Sequence, residues 1–418
     1  MNTGIRAIAF FLPQFHPVPE NDEWWGQGFT EWTNVSKARP LFPGHYQPHL
    51  PADLGFYDLR LPEAREAQAA LARAYGIHGF CYYHYWFAGR NILERPFNEV
   101  LATGKPDFPF CLCWANENWT RTWDGGDSEI LLGQNYGDAD DRAHILSLIP
   151  ALRDPRYIRI DGRPLLLIYR TESLPNPRRT AMIWREEALN AGIGDIYLAR
   201  VESFSVETDP RDIGFDAAVE FAPDWRQMGD RLYRSKLYEK AVQWRLLPDI
   251  YMKQSVASYD TLKERMLAKP AKDHVRFRCV TPGFDNTARR ETTGATLFLG
   301  TTPAKYEDWL EHSVEKTIQE CKGDERIVFL NAWNEWGEGN HLEPDMKYGH
   351  AFLEATARGL GTSTVKVEQS NSASTQPSDS MHSDRSLRAT YWRLRAALIR
   401  SEIWQLVRHI RYWRCRGF

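Results

Sequence analysis

The 418-residue chain has no apolar run approaching the roughly 18 residues that a membrane-crossing helix requires. It has nothing that reads as a secretory leader. Met1-Asn2-Thr3-Gly4-Ile5-Arg6 runs directly into Ala7–Leu12, an apolar stretch too short for a leader core and without a small-residue cleavage site after it. Cysteine is scarce. Of the six (Cys81, Cys111, Cys113, Cys279, Cys321 and Cys415), none stands at metal-ligand spacing. Four of them, Cys81, Cys111, Cys113 and Cys279, sit inside apolar runs and read as small buried hydrophobes in a reducing compartment. These absences together imply a cytoplasmic protein. Phosphate-cradling Gly-x-x-x-x-Gly-Lys, zinc-binding His-Glu-x-x-His and nucleophile-elbow Gly-x-Ser-x-Gly motifs are also missing, so no cofactor and no metal is expected. Asp138-Ala139-Asp140-Asp141 is acidic enough to hold a divalent cation, but reads as a plain helix start.

Aromatic residues are plentiful: 16 Trp, 18 Tyr and 20 Phe, 13% of the chain, more than packing alone calls for. The net charge of −3 hides an asymmetry, because Arg385–Phe418 holds nine Arg and one Glu and is thus +8, leaving −11 on the rest.

Eight short β-rich apolar runs recur: Ile5–Leu12, His78–Trp86, Pro109–Asn116, Pro164–Arg170, Asp195–Glu202, Phe215–Phe221, Arg276–Pro282 and Ile327–Trp333. Continuous rather than alternating hydrophobicity marks strands buried on both faces. Amphipathic segments such as Leu61–Tyr75 and Arg178–Ala191 lie between them. Strands alternating with helices imply parallel crossovers, and eight predict an α/β fold, a (β/α)8 TIM-like barrel with enlarged loops. An open doubly wound sheet is the competitor. It usually opens on a glycine-rich turn, whereas the first run here leads into Pro13-Gln14-Phe15-His16.

Three regions follow: a barrel domain over 1–362, a disordered linker over 363–384, rich in Ser, Thr, Asn and Gln, and a basic amphipathic helix over 385–418. In the last, Trp392, Ala396, Ile399, Ile403, Leu406, Ile410 and Trp413 fall at spacings of three and four. Such a helix either docks on protein or lies on anionic lipid, a peripheral contact at the inner membrane. It contains no nucleic-acid reading module, so nucleic acid is not expected as a partner.

The chemistry is expected at the C-terminal ends of the strands. After the eighth run comes Asn334-Glu335-Trp336-Gly337-Glu338-Gly339, which sets two carboxylates three residues apart between glycines and indoles. Paired carboxyls suit chemistry at a sugar's anomeric carbon, and flat rings suit pyranose faces. The pair Glu335 and Glu338 is the catalytic candidate. Other run ends contribute candidates for binding sugar: Gln14, His16, Glu31 and Trp32 after the first; Tyr83, His84 and Trp86 on the second; Trp114, Asn116 and Glu117 on the third; Tyr169, Glu202 and Glu220 on the fourth to sixth; Asn334 and Trp336 beside the pair. Taken singly, His84 reads as a core histidine, and Glu202 and Glu220 read equally well as salt-bridge partners within the barrel.

Several of these motifs belong together. Phe10-Phe11-Leu12-Pro13-Gln14-Phe15-His16, Trp24-Trp25-Gly26, Phe29-Thr30-Glu31-Trp32, Tyr82-Tyr83-His84-Tyr85-Trp86, Trp114-Ala115-Asn116-Glu117 and the Asn334–Gly339 segment resemble the WbsX-type glycosyltransferases of bacterial O-antigen and lipopolysaccharide biosynthesis. The resemblance covers about residues 5–355. The same proteins look like distant relatives of glycoside hydrolase family 99, the endo-α-mannosidases, which are (β/α)8 barrels. The resemblance implies that Glu335 acts as base on a sugar 2-hydroxyl, by way of a 1,2-anhydro sugar, and that Glu338 acts as general acid/base on the leaving or incoming oxygen.

Three functions compete at this level: a glycosyltransferase working on a carbohydrate, lipid-linked or free; a retaining endo-glycosidase acting on α-linked glycans; and a non-catalytic glycan-binding scaffold.

Overall fold

The computed structural model describes residues 4–362, apart from 43, 122–125, 203–207, 233–235, 245, 247–248 and 291–293. The linker and basic helix expected over 363–418 lie outside the described residues. Eight parallel strands form the frame: β1 (Arg6–Phe11), β2 (Gly79–Phe87), β3 (Phe110–Trp114), β4 (Arg163–Ile168), β5 (Tyr197–Glu202), β6 (Ala217–Glu220), β7 (Val275–Val280) and β8 (Ile327–Leu330). Each matches one of the eight apolar runs. They pair in order, and β1 bonds both β8 (Arg6 opposite Ile327) and β2 (Ile8 opposite Gly79), which closes the sheet. Closure settles the choice between barrel and open sheet.

Around the barrel lie α1 (Pro62–Ala74), α2 (Arg95–Thr103), α3 (Asp138–Arg153), α4 (Pro177–Asn190), α5 (Tyr259–Leu267), α6 (Pro303–Glu320) and α7 (Ala351–Gly359). Proline in the first turn starts α1, α2, α4 and α6, where its missing N–H would be unpaired in any case. Asp138 opens α3 as the acidic first turn suggested; Asp140 accepts the Trp86 indole at 3.0 Å and Asp141 the Thr180 hydroxyl at 2.7 Å. Between β5 and β6 the described connection is only a short 3₁₀ turn, Pro210–Ile213.

The barrel interior is filled with rings. Phe10 stacks on Phe329 at 5.3 Å and on Tyr83 at 5.5 Å, and Phe221 meets Phe10 and Tyr169 at 5.9 and 5.3 Å. Below them Phe277 packs on Phe329 and Tyr197. This column fills the barrel so that its top, at Tyr83 and Tyr169, becomes the floor of a cleft at the C-terminal ends of the strands. Cys81, Cys111, Cys113 and Cys279 are buried and unbonded to one another, as their apolar surroundings implied. Among the described residues no helix is long and apolar enough to cross a membrane.

Candidate active site

β8 ends at Leu330, and the chain then forms a tight hairpin. Asn334–Glu335 pairs antiparallel with Asn340–His341 around the 3₁₀ turn Trp336–Glu338, which Gly339 closes at φ 54°. That turn places the two glutamates on one side. The hairpin is stitched to β1: the Asn334 side chain accepts from the Leu12 amide at 2.7 Å and donates to the Leu12 carbonyl at 3.0 Å. Two buried bonds of this kind contribute roughly 1 kcal/mol each. Beneath the turn, buried Glu343 accepts from Trp336 Nε1, Tyr57 and Gln68 at 2.6–2.8 Å. Burial still pushes its carboxyl up to about 7.

The loop after β7 supplies what the sequence reading missed. Arg289 donates to Glu31 at 2.7 Å through Nε, to Glu338 at 2.6 Å through Nη1 and to Glu335 at 2.9 Å through Nη2. One guanidinium thus holds three carboxylates. Glu31 is fully buried, the Glu335 side chain is 9% exposed and that of Glu338 is 25% exposed, so the cluster grades from interior to cleft. The Arg289 loop is itself fastened to the hairpin, since the Asp285 amide donates to the Glu338 carbonyl at 2.6 Å. Close approach explains Gly337: a Cβ there would lie 1.6 Å from Glu31 Oε1.

Three carboxylates around one guanidinium crowd more acid groups than one cation can balance. Desolvation, reinforced by Glu338 and Glu31 and opposed by Arg289, pushes Glu335 up to about 8. Glu338 is also raised, by burial and by Glu31 and Glu117 against the pull of Arg289 and Arg290. A pair that interacts this strongly titrates as a unit, so near neutrality it holds a proton between its two members. Burial also keeps Tyr83 and Tyr169 neutral, hence hydroxyl donors.

The cleft above the pair has a volume of about 910 Å³, ample for more than one sugar ring. Trp24, Trp25, Trp119 and Trp225 stand in its walls with Tyr85, and Gln14, Tyr83, Glu117 and Tyr169 join Glu335 and Glu338 as lining. Glu117 is held by Arg170 at 2.6 Å. Of the candidates read from the sequence, these six face the cleft, and Glu31 supports it from behind through Arg289.

Ten candidates lie elsewhere. His84 bonds His144 at 2.9 Å, and burial pushes its imidazole down to about 4, which makes it the core histidine of the plainer reading. Trp86 stacks on His144, and Trp114 is fully buried against His144 and Trp184. Asn116 clamps the Arg170 backbone. The reason is strand alternation: Tyr83 and Tyr85 face inward, so His84 and Trp86 face the helices, and Ala115 and Glu117 face the cleft, so Trp114 and Asn116 do not. Glu202 and Glu220 sit within 4.0 Å of Arg276, and Glu220 also lies near Arg278 and Lys269. Arg278 reaches Glu320 on α6, which marks this cluster as a charged layer between barrel and helices, the salt-bridge alternative. Buried His16 is pushed down to about 4 by desolvation. Trp32 donates to the Tyr57 carbonyl, Trp336 is pinned by Glu343, and Asn334 is the stitch described above.

The sequence matches the Glycosyltransferase WbsX family over residues 7–356. The chain belongs to the WbsX glycosyltransferase family. Two relatives, both called WxcX, from two strains of Xanthomonas campestris pv. campestris, are 46% identical over 353 residues, 84% of this chain and 49% of each relative. The chain therefore spans about half the length of the curated relatives it matches. Among solved structures, a glycoside hydrolase-like protein superposes with a TM-score of 0.51 at 13% identity, covering 85% of this chain and 94% of the other, a likeness of fold. A GH99 endo-alpha-mannosidase from Bacteroides thetaiotaomicron covers 85% of this chain and 96% of its own at 16% identity and a TM-score of 0.49.

Proposed function

We propose that this WbsX-family protein transfers a glycosyl group during bacterial surface-polysaccharide (O-antigen or lipopolysaccharide) assembly, with Glu335 and Glu338 as its acid/base pair. Family membership supports a glycan-active enzyme. The observation that carries the chemical part is the sharing of Arg289 by the two glutamates at the bottom of a tryptophan-walled cleft. One proton on the pair makes one member an acid and the other a base, which departure and entry of oxygen at an anomeric carbon require. Desolvation favours Glu335 as the resting proton carrier, so its part as base on a 2-hydroxyl begins with passing that proton within the pair. Tyr83 and Tyr169 donate to substrate hydroxyls or to the ionised member, and the indoles stack on sugar faces. We place the reaction in the cytoplasm, with a lipid-linked carbohydrate as acceptor and the Arg-rich C-terminal segment at the inner-membrane surface.

The test is purified protein with candidate nucleotide sugars, lipid-linked acceptors and α-linked oligosaccharides, beside Glu338→Gln. Transfer that falls roughly 10²–10⁴-fold in the variant is expected. Hydrolysis alone would select the retaining endo-glycosidase, which the paired carboxylates also fit, and equal behaviour of variant and wild type with every substrate would overturn the catalytic assignment of the pair.

A further inference from the structure

Behind the hairpin, on the side away from the cleft, a cavity of about 140 Å³ is bordered by His49, His341 and Asp345. His49 comes from the long connection after β1, and the other two come from the chain just beyond the glutamate turn. His49 Nδ1 and His341 Nε2 lie 2.9 Å apart, and Asp345 Oδ2 is 3.9 Å from the same His341 nitrogen. The outer nitrogen of His341 meets the Glu343 carbonyl at 2.9 Å, and only a protonated Nδ1 can make that bond. Neutral His341 therefore turns a lone pair toward both the His49 nitrogen and the Asp345 carboxylate. Asp345 uses its other oxygen to accept the amides of Lys347 and Tyr348 at 2.9 and 2.6 Å. Its Oδ2 remains turned toward the rings.

Two imidazole nitrogens and a carboxylate oxygen, all within 4.8 Å of one another, are a common donor set for zinc-class metals. The bond from His341 Nδ1 to the Glu343 carbonyl is of the kind that fixes a ligating histidine's tautomer. With tetrahedral bonds of about 2.0–2.1 Å the donors would stand about 3.3 Å apart. Toward this spacing the two rings separate by about 0.4 Å and Asp345 closes on His341 by about 0.6 Å, while Asp345 and His49 already lie within 4.8 Å. The cavity leaves space for a water as fourth ligand. The Lys347 ammonium near the site lies over the rings of Tyr46 and Tyr348, 4.2 and 4.6 Å from their centroids.

We infer that His49, His341 and Asp345 form a binding site for a divalent zinc-class metal, which fastens the β1 connection to the segment behind the glutamate turn. The link to that turn is direct, because Trp336 stacks on His341 with ring centroids 3.7 Å apart. The inference is independent of the sugar chemistry proposed above.

Metal uptake tests it without any substrate. Untagged full-length protein is stripped with a chelator and titrated with Co²⁺ and with Zn²⁺, by visible absorption and by metal analysis after desalting. One equivalent, with the intense absorption of tetrahedral Co²⁺ and an unfolding midpoint raised by Zn²⁺, is expected. His49→Gln and Asp345→Asn, which keep hydrogen-bonding capacity, should each weaken binding about 100-fold or more. Asp273→Asn, at the exposed member of the separate Asp209–Asp273–His274 cluster, should change nothing. Failure of the wild type to take up either metal, uptake undiminished in both ligand variants, or loss of uptake in Asp273→Asn would overturn the assignment.

Discussion

Replacing Glu335 by Gln should inactivate the protein and at the same time stabilise it above neutral pH. The reason lies in the sign of the proton linkage. The Glu335 carboxyl is raised from 4.5 to about 8 in the folded state, so between those values the native protein binds a proton that the unfolded chain releases. Stability from this group is therefore fully present below about pH 4.5 and declines as pH rises toward 8. At about 1.4 kcal/mol per pKa unit, the decline reaches roughly 3 kcal/mol at pH 7 and about 5 kcal/mol above pH 9. Gln has the neutral shape at every pH and escapes this loss. Urea unfolding of wild type and Glu335→Gln at pH 4, 7 and 9 reads the effect on the pair, because the variant keeps only one of its two carboxyls. The curves should nearly coincide at pH 4 and separate by a few kcal/mol at pH 9, with the variant more stable, while activity falls by the general acid/base factor of roughly 10²–10⁴. Parallel stability profiles would mean that Glu335 titrates normally, and the electrostatic argument for a proton held on the pair would collapse.

Arg289→Gln leaves three crowded carboxylates without the guanidinium that binds them; folding stability near neutral pH should drop by roughly 3–5 kcal/mol, the usual result of breaking a buried pair, and any pH–activity profile should move to higher pH. A profile unchanged in position would show that Arg289 does not set the charge of the pair. Gly337→Ala drives a methyl into buried Glu31, so thermal unfolding should begin several degrees lower; a wild-type melting curve would mean that the turn has room the structure denies it. Deleting Arg385–Phe418 removes +8 of charge and should release the protein from anionic vesicles in a sedimentation assay, whereas equal binding by the truncated chain would dispose of the lipid reading.

The eight strands and their order are legible in the sequence, while the closing pairing of β1 with β8 is what separates a barrel from an open sheet. Eight apolar runs between helical segments allow few other closures, and the position of Glu335 and Glu338 just past the eighth run follows from that count. The sequence could not fix the phase of each rim strand. Tyr83 and His84 are neighbours of similar composition in a run that is apolar throughout, so nothing in the local pattern says which of the two looks into the cleft; the pairing of β2 with β1 and β3 decides it. That is why the aromatic and amide candidates divided almost alternately between cleft and helix layer. Arg289 was invisible for a different reason. It follows a strand end of Pro282 and Gly283 that offers no recognisable chemistry, and next to Arg290 it reads as one of a pair of surface charges. Only the fold brings its guanidinium to carboxylates 46, 49 and 258 residues away in the chain. A local pattern encodes which strands form and what residues they end in. Which charge meets which is a long-range property, set by the closed barrel through the three neighbouring loops, after β1, β7 and β8, that it brings together.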